Sequence, residues 1–206
     1  MENSLGNHVF LYQLINSISS ILAVNDDYTA NHHNNVAVIA RLIAQEIGLS
    51  VFEVEGIRIA GQIHDIGKSA IPNELLSKSG KLNYEEFALI KSHVGRAEEI
   101  LVGIDFPWPV LDMVLQHHER MDGSGYPEGL VGEKICLGAR ILAVADITDA
   151  MVNPRPYRRA LGLEAVLEEI TTNSQLYDQY VCKAFMKIVS EGGSSLLAVI
   201  ENAHDQ

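Results

Sequence analysis

The chain has 206 residues, 47% of them hydrophobic, enough for one sizeable core and one domain. Fifteen basic residues against 27 acidic ones give a formal charge of −12, which argues against general binding to a nucleic-acid polymer, because neutralising many phosphates needs a broad basic surface. Cys136 and Cys182 stand alone without CxxC spacing, so neither a disulfide framework nor a thiolate zinc site is expected, and the chain reads as cytoplasmic.

The apolar stretch over residues 8–24 is interrupted by Gln13, Asn16 and several serines, which suits an amphipathic helix and neither a signal segment nor a membrane span. Residues 1–25 are expected to be an N-terminal helix, with one domain over 26–190 and a tail over 191–206. Helical periodicity dominates from there on and strand signals are nearly absent, so an all-α domain is expected. A helix over 30–47 aligns Val36, Ile39, Ile43 and Ile47, with His32 at the start of that face and Gly48 as its stop. A second over 51–64 carries Val54, Ile57, Gly61 and His64 on one stripe, and Gly67 then permits a turn. A third opens at Asn83, where Asn-Tyr-Glu-Glu86 resembles a capping box, and runs with Phe87, Ile90, Val94 and Leu101 on a face beside His93. Pro107 and Pro109 introduce a fourth with Val110, Met113, Val114 and His117 in register. Further helices are expected over 137–152, which holds Asp146, over 163–172 and over 178–190.

Five histidines (His32, His64, His93, His117, His118) and two carboxylates (Asp65, Asp146) stand on or beside these apolar helices. One histidine alone reads as an ordinary hydrogen-bonded residue, but the set does not. Asp65 and Asp146 sit in IHDIG and VADIT, where an unpaired carboxylate would be costly to desolvate and a divalent cation would offset that cost. Imidazole and carboxylate without thiolate suit iron, manganese, zinc or nickel better than calcium or magnesium. Seven ligands exceed one tetrahedral site; with Asp65 bridging, they suit two metals about 3.5–4 Å apart, an arrangement used in phosphoester hydrolysis. Lys68, three residues after Asp65, could neutralise a phosphate oxygen or simply be solvated in a turn. In the run from Asp122 to Pro127 the glycines either allow close backbone approach or take positive φ, and Tyr126 offers a hydroxyl and a stacking face. Arg155 and Arg158 suit phosphate or guanine-edge contacts as well as a helix C-terminus.

The ordered series Asp26-Asp-Tyr-Thr-Ala-Asn-His32, His64-Asp-Ile-Gly-Lys68, Ile90-Lys-Ser-His93, His117-His-Glu119, Asp122-Gly-Ser-Gly-Tyr-Pro127, Ala139 to Asp146 and Arg155-Pro-Tyr-Arg158 resembles the HD-GYP family of bacterial metal-dependent phosphohydrolases. The resemblance implies an HD-domain helical bundle with additional helices that hydrolyses cyclic di-GMP to linear pGpG or onward to GMP, through attack by a metal-bridging hydroxide. By position it makes His32, His64, Asp65, His93, His117, His118 and Asp146 the ligands of two divalent metals, with iron or manganese expected and nickel or zinc compatible. Asp65 and Lys68 become catalytic residues, and Gly125, Tyr126, Arg155 and Arg158 help to hold the dinucleotide. A fused sensory domain or a protein signalling partner is also implied, with residues 1–25 as the connector from that input domain and 26–190 as the catalytic domain.

This chain departs from the family's pattern at three places. Tyr28 stands where members that hold a third metal carry a glutamate, Asn35 where many have an arginine, and Cys136 where a proline is frequent. None removes a ligand. Two other readings stay open: a cyclic-dinucleotide receptor or interaction module with little turnover, and a phosphodiesterase for cyclic GMP-AMP.

Overall fold

The computed structural model describes Gln13, Ile15, Ser17 and residues 27–78, 80–153 and 160–202, leaving aside the side chains of 27–30 and 193–202. The described residues form α1 (Asp27–Ile47), α2 (Val51–Ile63), a 3-10 turn (Ile66–Ala70), α3 (Asn73–Leu76), α4 (Tyr84–Lys91), α5 (His93–Leu101), α6 (Val110–Gln116), a second 3-10 turn (Gly132–Lys134), α7 (Leu137–Val152), α8 (Leu163–Thr172) and α9 (Gln179–Asn202). Only an isolated bridge between Asp122 and Val131 has β character among them. The all-α expectation is therefore met, and no helix among the described residues is long and apolar enough to cross a membrane.

Local chemistry sets the helix ends. Gly48 stops α1 at φ 85°, a left-handed conformation open to glycine at little cost. Ser50 and Glu53 form a capping box at α2, and Asn83 and Glu86 form the expected one at α4. The core lies where α1 packs on α2, α7 and α9. Val36, Ile39, Ile43, Ile57, Ile63, Ile141, Leu142, Val144, Val181 and Phe185 are buried there, and each such aliphatic side chain contributes about 1.5–3 kcal/mol by leaving water. Ile15 joins this cluster, so part of the stretch expected to be a connector packs against the domain.

One expectation is corrected. The single third helix is two: the periodic pattern is broken at Ser92, whose Oγ donates to the Leu89 carbonyl (2.6 Å), while His93 Nδ1 donates to that of Ile90 (2.7 Å). Side chains that bond neighbouring carbonyls compete with helix continuation. The chain turns there, so Val94 and Leu101 enter the core while Phe87 is left 45% exposed. The expected end of the last helix near 190 is borne out: non-helical backbone at Gly192 (φ −163°, ψ 36°) interrupts α9, and helix resumes beyond it to Asn202.

Candidate metal centre

Five elements deliver the seven sequence-predicted ligands. α1 carries His32, the end of α2 delivers His64 and Asp65, α5 opens with His93, α6 ends at His117 and His118, and α7 holds Asp146. A Cβ added at Gly61 would lie 2.8 Å from Ala37 Cα, so Gly61 lets α1 and α2 cross closely. That crossing brings the His32 and His64 ring centroids to 5.2 Å.

The Nδ1 atoms show which way each ring is held. His64 Nδ1 donates to Gly61 O (2.8 Å), His93 Nδ1 to Ile90 O (2.7 Å), His117 Nδ1 to Val114 O (2.6 Å), and His32 Nδ1 to Asp149 Oδ2 (2.7 Å). Carbonyls and carboxylates only accept, so Nδ1 carries the hydrogen and Nε2 of His64, His93 and His117 presents a lone pair. Those lone pairs face Asp65. His64 Nε2 is 3.3 Å from Oδ2, while His93 Nε2 and His117 Nε2 are 3.3 Å and 3.8 Å from Oδ1. His32 Nε2 lies 3.6 Å from Asp65 Oδ2 and 3.4 Å from Asp146 Oδ1.

A lone pair turned towards a carboxylate oxygen is repulsive by itself. The Nε2 atoms of His64, His93 and His117 and Oδ1 of Asp65 are buried without a hydrogen-bond partner among the described residues, at a cost of about 1–3 kcal/mol per unsatisfied group. Divalent cations placed between them turn repulsion into coordination. The donors separate into two groups, His32, His64 and Asp65, and then Asp65, His93, His117 and His118, with the ligand atoms of each within 4.8 Å of one another. Asp65 belongs to both, one oxygen towards each. The residues fit two bridged divalent cations.

The electrostatics agree. Burial pushes the Asp65 carboxyl up, but Lys68 and the neighbouring imidazoles hold it well below the usual range; Lys68 Nζ donates directly to Asp65 Oδ2. Burial and the nearby His64 push His117 down to about 3, and burial with His117 lowers His118, so both are neutral and ready to ligate. Burial opposes charge on His32 as well, yet Asp149, Asp65 and Asp146 raise it from 6.5 to about 9. His32 therefore holds a proton at neutral pH where a cation would sit. Metal binding must displace that proton, so affinity should climb about tenfold per pH unit between roughly pH 6.5 and 8.5. Chelator competition in non-coordinating buffers measures this; a flat profile would contradict it.

Several participants were not singled out in the sequence. Asp149, buried, orients His32 and is itself held by Asn35 Nδ2 (2.7 Å) and Asn153 Nδ2 (2.5 Å). Its signal was available, one helical turn after Asp146 on the same face. Asn35, noted only as a departure, thus takes part in fixing the His32 ring. His33 is also buried, with both ring nitrogens unpartnered among the described residues, 5.3 Å from the His64 ring.

The loop after His118 is fastened by Glu119, whose carboxylate accepts from the backbone N–H groups of Glu128 (2.7 Å), Gly129 (3.1 Å) and Leu130 (3.0 Å). This seats Tyr126 flat on His118, with centroids 4.7 Å apart and planes at 28°. Burial, Asp65 and Asp146 all push the Tyr126 phenol upward, so it stays a hydroxyl donor. At Gly125 a Cβ would collide with the backbone of His118, Glu119 and Arg120, so its bareness serves the close approach of the loop to the segment that carries His117 and His118. Gly123 supplies the positive φ (84°). Arg155 and Arg158 lie outside the described residues. Exchanging Glu119 for Gln places an NH2 against N–H donors and should cost about 1–3 kcal/mol. Amide exchange at 128–130 should quicken while metal content holds; unchanged exchange would remove Glu119 from this role.

A family profile described as an HD domain matches residues 16–181. The chain is 39% identical over 185 residues to a cyclic di-GMP phosphodiesterase of Thermotoga maritima, covering 88% of this chain and 50% of that protein. It is 34% identical over 178 residues to 3'3'-cGAMP-specific phosphodiesterase 3 of Vibrio cholerae, covering 86% and 39%. The chain thus spans half or less of the length of these relatives. Among solved structures, an HDG"Y"P protein of Bdellovibrio bacteriovorus shares the fold, with a TM-score of 0.64 at 18% identity over 77% of this chain and 51% of that one. The profile match takes in most of the chain, and with Gly125-Tyr126-Pro127 seated over the histidines this chain belongs to the HD domain family, in its HD-GYP type.

Proposed function

We propose that this chain is a divalent-metal-dependent phosphodiesterase that hydrolyses cyclic di-GMP to linear pGpG or onward to GMP. The observation that carries this reading is the convergence of unpartnered imidazole lone pairs on both oxygens of the buried Asp65. Bound divalent cations supply Lewis-acid charge and make a water nucleophilic near neutral pH. Asp65 would take part in holding both cations, and His93 and His117, kept neutral by burial and held through Nδ1, would need little reorganisation on loading, whereas His32 would first give up its proton. In this reading Lys68, paired with Asp65, releases that carboxylate and neutralises a phosphate oxygen as charge develops on it. The Tyr126 hydroxyl donates to the substrate while its ring shields His118 from water. Arg155 and Arg158 complete the dinucleotide contacts in this reading. Water oxygen bonds to phosphorus, the bond to the 3′ oxygen breaks, and that oxygen leaves with a proton to give the 5′-phosphorylated linear product.

The nitrogen-rich ligand set favours iron or manganese. Two unpaired cysteines suit a cytoplasmic setting. A substrate of cyclic GMP-AMP is the second reading, favoured by the likeness to the Vibrio cholerae enzyme named for that dinucleotide. Protein reconstituted anaerobically with Mn²⁺ or Fe²⁺ and incubated with each dinucleotide, followed by chromatography, separates the readings. Faster loss of cyclic di-GMP with pGpG or GMP appearing supports the first; faster loss of cyclic GMP-AMP supports the second; binding without hydrolysis of either contradicts both.

A further inference from the structure

Lys91 closes α4, two residues before His93, and is half-buried. Its ammonium lies 4.7 Å from the Phe87 ring centroid and 4.8 Å from that of Tyr126. Tyr126 in turn stacks on His118. The order Phe87, Lys91, Tyr126, His118 therefore leads from the protein surface to the metal centre, with a fixed positive charge on the outer side of the tyrosine. Several other cations are paired: Lys68 with Asp65, Lys78 with Glu86, Lys187 with Glu46 and Arg140 with Asp178. Lys91 has no ion-pair partner among the described residues, in a chain of net charge −12. Cation–π contacts hold the ammonium without neutralising it, so it stays available to an anion.

A cyclic dinucleotide carries two phosphodiesters. The scissile one belongs beside Asp65 and Lys68, and the ring closure keeps the other nearby yet off the metals. We propose that Lys91, steadied by Phe87 and Tyr126, binds this second, uncleaved phosphodiester and thereby selects substrates with two phosphates in one ring. The inference rests on the phosphodiesterase reading and deepens it. Tyr126 then acts on both sides of the substrate, through its hydroxyl towards the centre and through its ring by positioning Lys91.

The test compares Lys91→Met, which keeps the packing stem, with Lys91→Arg, which keeps a charge able to lie on the rings. Two substrates are used with metal-loaded protein: cyclic di-GMP and bis(p-nitrophenyl) phosphate, which has a single phosphodiester. In Lys91→Met the KM for cyclic di-GMP should rise about 10- to 100-fold, the loss of one charge-assisted bond, with kcat and metal content held and bis(p-nitrophenyl) phosphate turnover unchanged. Lys91→Arg should recover most of the loss, and the salt dependence of KM should flatten only in Lys91→Met. Equal loss on both substrates, or none on cyclic di-GMP, overturns the proposal. If wild type cleaves only the single diester, the cyclic di-GMP reading itself has failed, a result distinct from either.

Discussion

Asp65→Asn is expected to abolish turnover of cyclic di-GMP, by roughly a thousandfold or more, and to strip the protein of tightly held metal. The substitution keeps shape and removes one negative charge, so packing around the 2% exposed side chain is undisturbed. What it removes is the one group shared by both donor sets. An amide offers one weak acceptor oxygen and turns an NH2 towards the lone pairs of His93 and His117 or of His64. These are satisfied as hydrogen-bond acceptors, and the drive to bind a cation falls with them. Elemental analysis after gel filtration, alongside chromatographic turnover, checks this. Retention of two metals with full activity would show that Asp65 does not bridge.

Gly67→Ala should be the most damaging substitution of a single methyl group. Gly67 lies in a turn as expected, the 3-10 turn Ile66–Ala70, but without a positive φ. Its bareness is needed because a Cβ there would overlap the His93 carbonyl oxygen and crowd the Ala97 N–H. The start of α5 is thus pressed against the turn that follows Asp65, which sets His93 at 3.3 Å from that carboxylate. Forcing them apart costs about 3 kcal/mol, or roughly 6–12 °C in Tm for a chain of this size, and moves His93 out of its donor group. Gly95→Ala is the control in the same helix. A Cβ at Gly95 meets nothing within 4 Å, so that variant should be neutral or gain about 0.5–1 kcal/mol. Thermal melts of both, with metal content, decide it; matching melts would contradict the close-approach account.

The helices were legible in the sequence where burial and caps act locally. α7 and α8 begin and end where periodicity placed them, and the Asn83 box and the Gly48 stop are present. All seven residues expected as ligands converge because imidazoles and carboxylates on apolar faces have few other uses. What escaped depends on contacts between distant segments. The break at Ser92 is hidden because the apolar period continues through it, while the competing bonds are side chain to backbone. Glu119 bonds to N–H groups nine to eleven residues away, and backbone donors carry no residue signature. At Gly67 and Gly125 neighbouring backbone fills the space a side chain would need, a contact that local sequence does not show. Asp149 is the exception, since its spacing from Asp146 could have marked it.

The measurement that bears most directly on the central claim is turnover of cyclic di-GMP against added equivalents of Mn²⁺, starting from metal-free protein under anaerobic conditions. Two cations joined by Asp65 predict activity that is negligible at low loading and saturates at two equivalents per chain, with pGpG or GMP as product. Saturation at one equivalent, or two equivalents bound with no cleavage, would contradict the account.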